Sequence, residues 1–229
     1  MSLTTGRGPL SPDPSGRFSA PIPTGVIYVE PYPRRIRGRI GDRFVIDTER
    51  VQLVHRPGRP TSYAFLADDV PAELAEPEPA VAGHVSVPWA SIDRWYEENV
   101  ELTFNSYPKN PYHRVDCLPA SRRLRVEAAG VVLVETTETL VLHETALPAR
   151  LYVSKELVRM DLLTPSRTAS WCSYKGNASW WTATVDGVAI PDLVWSYEDP
   201  LAESAPLRGM LSFDERLAEV VADLPIDLR

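Results

Sequence analysis

The densest chemistry in the chain lies in one run, Trp171-Cys172-Ser173-Tyr174-Lys175-Gly176-Asn177-Ala178-Ser179-Trp180-Trp181. A lysine in a turn among tryptophans can bind an anion, or act as a lowered-pKa base or nucleophile over an apolar cleft. The competing assignment is a solvated lysine at a hairpin tip, with Gly176 and Asn177 present for positive φ. Cys172 is the second candidate catalytic group. It needs a base within hydrogen-bond reach, and His143 is available, although cysteine is also among the residues most often buried as core. Arg150 and Tyr152, two apart on an expected strand, share a face, as do Trp195 and Tyr197. Arg150 and Lys175 beside the aromatic groups of Tyr152, Tyr174, Trp195 and Tyr197 suit a small ligand bearing a carboxylate or phosphate. Against this stands a core of Trp and Tyr with Arg150 snorkelling at its rim. Two cysteines and four histidines show no metal-ligand spacing, so no metal site is expected, and no cofactor is assigned.

The elements that must position these groups come from a repeat. At an offset of 88, Arg34-Arg35-Ile36-Arg37 meets Arg122-Arg123-Leu124-Arg125, and Leu53-Val54-His55 meets Val141-Leu142-His143. Thr48, His55, Pro60 and Val70 meet identical residues, Thr136, His143, Pro148 and Val158. The reading is a mainly β protein of two similar small antiparallel domains from an internal duplication, with one or two short helices. Residues 1–30 are expected as an extended arm, 31–119 as a degenerate first copy and 120–229 as the complete second copy, with a boundary near Leu118-Pro119-Ala120-Ser121. Residues 34–70 and 122–158 should then share one strand arrangement. Where the second copy has Cys172 to Val185, the first offers only Pro77 to Pro88. In the second copy, alternation predicts strands over 122–126, 131–135, 139–143, 150–153, 178–185 and 188–197. Asp186-Gly187 signals a hairpin, and Pro191 implies an edge strand or a break in pairing. Pro88 to Glu98, with apolar residues three to four apart, is the best helix candidate.

Composition narrows the function classes. A net charge of -7 argues against a nucleic-acid platform, despite the local cluster Arg34, Arg35, Arg37 and Arg39. No apolar run of about 18 residues predicts a membrane span, and the first residues lack the apolar core of a secretory signal. Cytoplasmic, reduced cysteines are expected. With only three lysines among 24 basic residues, the composition suggests a GC-rich bacterial genome. Nothing in the sequence assigns an oligomeric state.

Several motifs together resemble the DUF427 family, a widespread set of bacterial and fungal proteins. They are Leu147-Pro148-Ala149-Arg150-Leu151-Tyr152, Val158-Arg159-Met160-Asp161-Leu162-Leu163, Cys172-Ser173-Tyr174-Lys175-Gly176 and Trp195-Ser196-Tyr197-Glu198-Asp199-Pro200. Glu30-Pro31-Tyr32-Pro33-Arg34-Arg35 and Asn110-Pro111-Tyr112-His113-Arg114-Val115-Asp116 look like the tandem, actinobacterial members. The resemblance implies a β-rich fold and a family label sometimes grouped with nucleotidyltransferases. No Gly-Ser followed by an Asp-x-Asp or Asp-x-Glu pair accompanies it. Two classes of function stay open. One is a binding protein or enzyme for a small anionic ligand, with a pocket lined chiefly by the second copy around Lys175 and closed by the first copy, with or without the N-terminal arm. The other is a non-catalytic interaction or scaffold module; a nucleotidyltransferase ranks behind both.

Overall fold

The structure is a computed structural model and describes residues 25–103 and 106–224. It is strand-rich, and its contacts divide the chain into two compact units between Pro111 and Tyr112. The expected boundary at Leu118 to Ser121 instead lies inside a strand, because Val115–Ala128 runs unbroken through it.

In the first unit, β1 (Tyr28–Tyr32), β2 (Ile36–Ile40), β3 (Arg43–Thr48), β4 (Val51–His55) and β5 (Ser62–Leu66) are followed by β6 (Glu76–Pro77), β7 (His84–Ser86), β8 (Arg94–Glu97) and β9 (Val100–Glu101). They form two antiparallel sheets, β1-β4-β5-β7-β6 and β3-β2-β8-β9, over one core that includes Tyr32, Ile36, Ile46, Leu53, Phe65 and Trp95. The expected arm therefore ends at Tyr28, where pairing with β4 begins; residues 1–24 lie outside the described residues.

The second unit contains β10 (Val115–Ala128), β11 (Val131–Glu144), β12 (Arg150–Tyr152), β13 (Leu163–Cys172), β14 (Gly176–Val185), β15 (Val188–Ser196), β16 (Leu211–Phe213) and β17 (Glu219–Ala222). Its sheets are β12-β11-β10-β17 and β13-β14-β15-β16. Asp186 (φ 48) and Gly187 (φ 76) close the β14–β15 hairpin in the left-handed region that such two-residue turns require. Pairing between β14 and β15 lapses opposite Pro191 to Leu193, as the missing proline donor dictates.

Pairing repeats between the units at the offset of 88. Tyr28↔His55 through Tyr32↔Val51 recur as Asp116↔His143 through Ala120↔Thr139, and Gln52↔Ala64 recurs as Leu140↔Tyr152. Even the irregularity between Gly38 and Arg39 recurs between Val126 and Glu127. The identical threonines do identical work, since Thr48 Oγ1 accepts from Arg50 N and Thr136 Oγ1 from Glu138 N. The units part after the 3-10 turns Ala72–Leu74 and Met160–Leu162. From there the first unit reaches β7 through residues 75–83, whereas the second inserts β13, β14 and β15 before β16.

The helix expected from Pro88 to Glu98 is a 3-10 turn, Trp89–Ser91, followed by strand β8. Burial in β8 alternates, with Trp95 and Glu97 inside and Arg94 outside, so the period is two. Pairing of β8 with Ile36 to Arg39 outweighs the helical spacing, because it satisfies the backbone of an inner strand.

Phe65 is fully buried and Phe44, in the same unit, is 41% exposed. Phe65→Ala should lower the unfolding free energy by about 3–5 kcal/mol. Phe44→Ala should lower it by no more than about 1 kcal/mol, a cation–π contact with Arg37 being its main loss. Urea denaturation followed by circular dichroism checks both, and equal costs would contradict this packing.

Candidate functional site

The site grows from the β13–β14 hairpin. Cys172 pairs with Gly176, leaving Ser173, Tyr174 and Lys175 as the turn. Gly176 has φ +99, and a Cβ there would meet the carbonyl oxygen of Asp199 at 3.3 Å. Leu201 N donates to Lys175 O (3.0 Å) and Ser204 Oγ to Tyr174 O (3.1 Å), so the turn is tied down against the segment after β15. Asn177, expected to share the positive φ, is already in β14.

Tied down in this way, Lys175 is not a solvated tip residue. It is 8% exposed, and its Nζ pairs with Oε2 of Glu144, the last residue of β11. The other oxygen, Oε1, accepts from His113 Nε2 at 3.0 Å, and the His113 ring stacks on Tyr174 with centroids 3.7 Å apart. Burial pushes the Glu144 carboxyl up, but the His113 hydrogen bond and the Lys175 charge outweigh it and leave the group below its ordinary value.

Beside this triad lies a cavity of about 230 Å3, lined in part by Glu144, Arg150, Tyr152, Lys175, Trp195 and Tyr197. The Arg150 guanidinium sits 5.0 Å from the Trp195 ring centroid and donates to Phe213 O at 3.3 Å. Among the described residues no carboxylate lies within ion-pair distance of Arg150. Trp195 Nε1 donates to the Tyr152 hydroxyl (3.1 Å), while Trp180 packs 5.4 Å from Trp195 and donates to Ser170 Oγ (3.0 Å). Burial raises the phenols of Tyr152 and Tyr197 well above their ordinary value, so both present hydroxyls at neutral pH.

Arg150, Tyr152, Lys175, Trp195 and Tyr197 thus line one cavity. Cys172 and Tyr174 do not line it. Cys172 packs against the cluster of Leu140, Leu142, Tyr152, Ala178, Tyr197 and Leu207, because the closing pair of the hairpin faces that core. The other cysteine, Cys117, is pushed up to about 11 by burial and is a thiol at neutral pH. Trp180, one of the tryptophans expected around Lys175, does line the cavity, whereas His113, Glu144 and Ser170 were not singled out from the sequence as site residues. The histidine at the site is His113, brought there by the Val115↔Glu144 register of β10 and β11. Nor is a pocket confined to the second unit, since the first encloses a cavity of about 440 Å3 lined by residues of its own.

Residues 116–223 match the family model NTP_transf_9, described as a domain of unknown function (DUF427). The match spans all of β11 to β17 and most of β10, and His113 falls just before it. No curated protein matches the chain.

Removing one partner of a buried pair leaves a charge uncompensated, so Lys175→Ala should cost about 3–5 kcal/mol of stability. Lys175→Met combined with Glu144→Leu should recover most of that loss in urea denaturation; a Lys175→Ala cost below about 0.5 kcal/mol would show the pair to be idle. Because the folded Glu144 carboxyl is depressed, its contribution is complete above the ordinary glutamate range near about 4.3 and fades as pH falls through the lower folded value. Glu144→Gln should therefore flatten part of the acid limb of a stability-against-pH profile.

Proposed function

We propose that residues 116–223, which belong to the DUF427 family, form a domain that binds a small organic anion in the Arg150–Trp195 cavity. The observation that carries this reading is the charge balance of the lining. Lys175 is neutralised by Glu144, while Arg150 stands over Trp195 with no carboxylate within ion-pair distance among the described residues. A guanidinium held against an aromatic face, with its remaining N–H groups free to act as a fork, suits a carboxylate or phosphate. Trp180 and Trp195 supply an apolar wall, and the Tyr197 hydroxyl and the Glu144–Lys175 pair supply the polar end. The volume of about 230 Å3 lies below the usual range for drug-sized ligands, which favours a compact metabolite.

In this reading Lys175 orients ligand rather than attacking it, since Glu144 already engages its Nζ. Cys172 belongs to the packing beneath the turn. The shared register of the two units supports an internal duplication in which the first copy lacks the three inserted strands. The two free cysteines support the reducing cytoplasm as the setting.

The test is a thermal-shift and calorimetric screen with pyruvate, benzoate, glycerol phosphate and inorganic phosphate. A site at a hundredfold excess over its dissociation constant adds about 2.7 kcal/mol. Arg150→Gln should weaken the best of these probes by roughly 30-fold or more while leaving the unliganded melting temperature nearly unchanged. Equal affinity in the Arg150→Gln protein would refute the assignment, and no shift with any probe would favour the interaction-module reading.

A further inference from the structure

We propose a second, separate ligand site in the first unit, taking a planar organic anion whose ring lies against Trp89 and whose acid group meets Arg59. It occupies the cavity of about 440 Å3, inside the range typical of small-molecule pockets and larger than that of the second unit. Its floor is an aromatic stack. Trp89 and Trp95 lie 5.0 Å apart at 25°, and Tyr63 is 5.9 Å from Trp95. Trp95 and Tyr63 are buried, whereas Trp89 is half-buried and offers the open face. Trp95 Nε1 donates to Trp89 O at 3.0 Å, which holds that face in place before any ligand arrives.

The polar side is equally built. Arg56 donates to Ser62 Oγ at 2.7 Å and pairs with Glu78, which is 5% exposed and also accepts from Ala80 N at 3.0 Å. Arg59 lines the same cavity, and no ion pair engages it among the described residues. The lining thus repeats the ingredients of the second unit's cavity: a paired acid and base, one arginine outside any ion pair among the described residues, and two tryptophans.

Their positions, however, are exchanged. At the offset of 88, Arg56 corresponds to Glu144, so the same strand end carries a base in one unit and an acid in the other. Its partner is supplied by the short connection in the first unit, as Glu78, and by the inserted hairpin in the second, as Lys175. The arginine outside the ion pair moves too, since Arg59 corresponds to Leu147 and Arg150 to Ser62. A ligand would therefore be held in a different pose over a wider aromatic floor, so the two cavities select different anions. Base or ring stacking on an aromatic face and a fork of N–H donors are the two interactions that set the class.

The experiment is isothermal titration of the full chain with indole-3-acetate, adenosine monophosphate and inorganic phosphate. At least one ring-bearing probe should bind, and phosphate alone should bind at least about tenfold more weakly. Arg59→Gln, at an exposed position, should weaken the ring-bearing probe by about tenfold or more, and Arg150→Gln should leave it unchanged. No binding of either ring-bearing probe would overturn the proposal, as would undiminished binding to the Arg59→Gln protein. Loss of binding with Arg150→Gln alone would assign the probe to the second unit and equally overturn it.

Discussion

The carboxylate of Glu144 is the joint on which the second unit's polar architecture turns. It ends β11 in one sheet, receives Lys175 from the hairpin of the other, and accepts from His113, which precedes β10. A buried carboxylate without such partners would cost several kcal/mol, so each partner is tied down by something else. Lys175 is fixed by the turn and its backbone bonds to Leu201 and Cys172, and His113 by its stack on Tyr174. The cavity next to this joint inherits that rigidity. Two of its other polar groups, Arg150 and the Tyr152 hydroxyl, are likewise held by Phe213 and Trp195.

The two units show how one strand arrangement tolerates different interiors. Ile36↔Glu97 in the first corresponds to Leu124↔Ala222 in the second. In the first unit Glu97 is buried and accepts from the hydroxyls of Tyr32 (2.9 Å) and Tyr63 (2.7 Å) and from Arg34. In the second the corresponding positions are Ala222, Ala120, Leu151 and Arg122, and no buried carboxylate is needed there. Register survives this exchange because it is set by alternation and by the shared irregularities. The outward Arg35–Asp47 pair also recurs, as Arg123–Glu135, on the exposed face where such pairs contribute little.

How legible the protein was in its sequence varies with the range of the interactions involved. The strand character of 122–126, 131–135, 139–143 and 150–152, the Asp186-Gly187 turn and the pairing lapse at Pro191 were legible because alternation, positive φ and a missing N–H donor are local properties. Residues 131–135 and 139–143, however, expected as two strands, are the single strand β11. The segment Pro88 to Glu98 misled because Trp89, Ile92, Trp95 and Tyr96 fit helical spacing. The partner strand β2 and the three groups around Glu97 decide for β structure there, and they lie more than thirty positions away in the chain.

The sequence by itself determined the β-rich class, the repeat at an offset of 88 and the shared strand faces of Arg150 with Tyr152 and of Trp195 with Tyr197. Each rests on a period or a spacing that the chain carries in itself. Only the tertiary structure decided that Lys175 is buried against Glu144, that His113 hydrogen-bonds the same carboxylate, and that Cys172 faces core. It also decided that the first unit, read as the degenerate copy, keeps a cavity of its own with Arg56 and Glu78 in exchanged roles. These outcomes depend on which distant strand ends meet, and therefore on desolvation and charge pairing across 31 positions for Glu144 and Lys175 and 22 for Arg56 and Glu78.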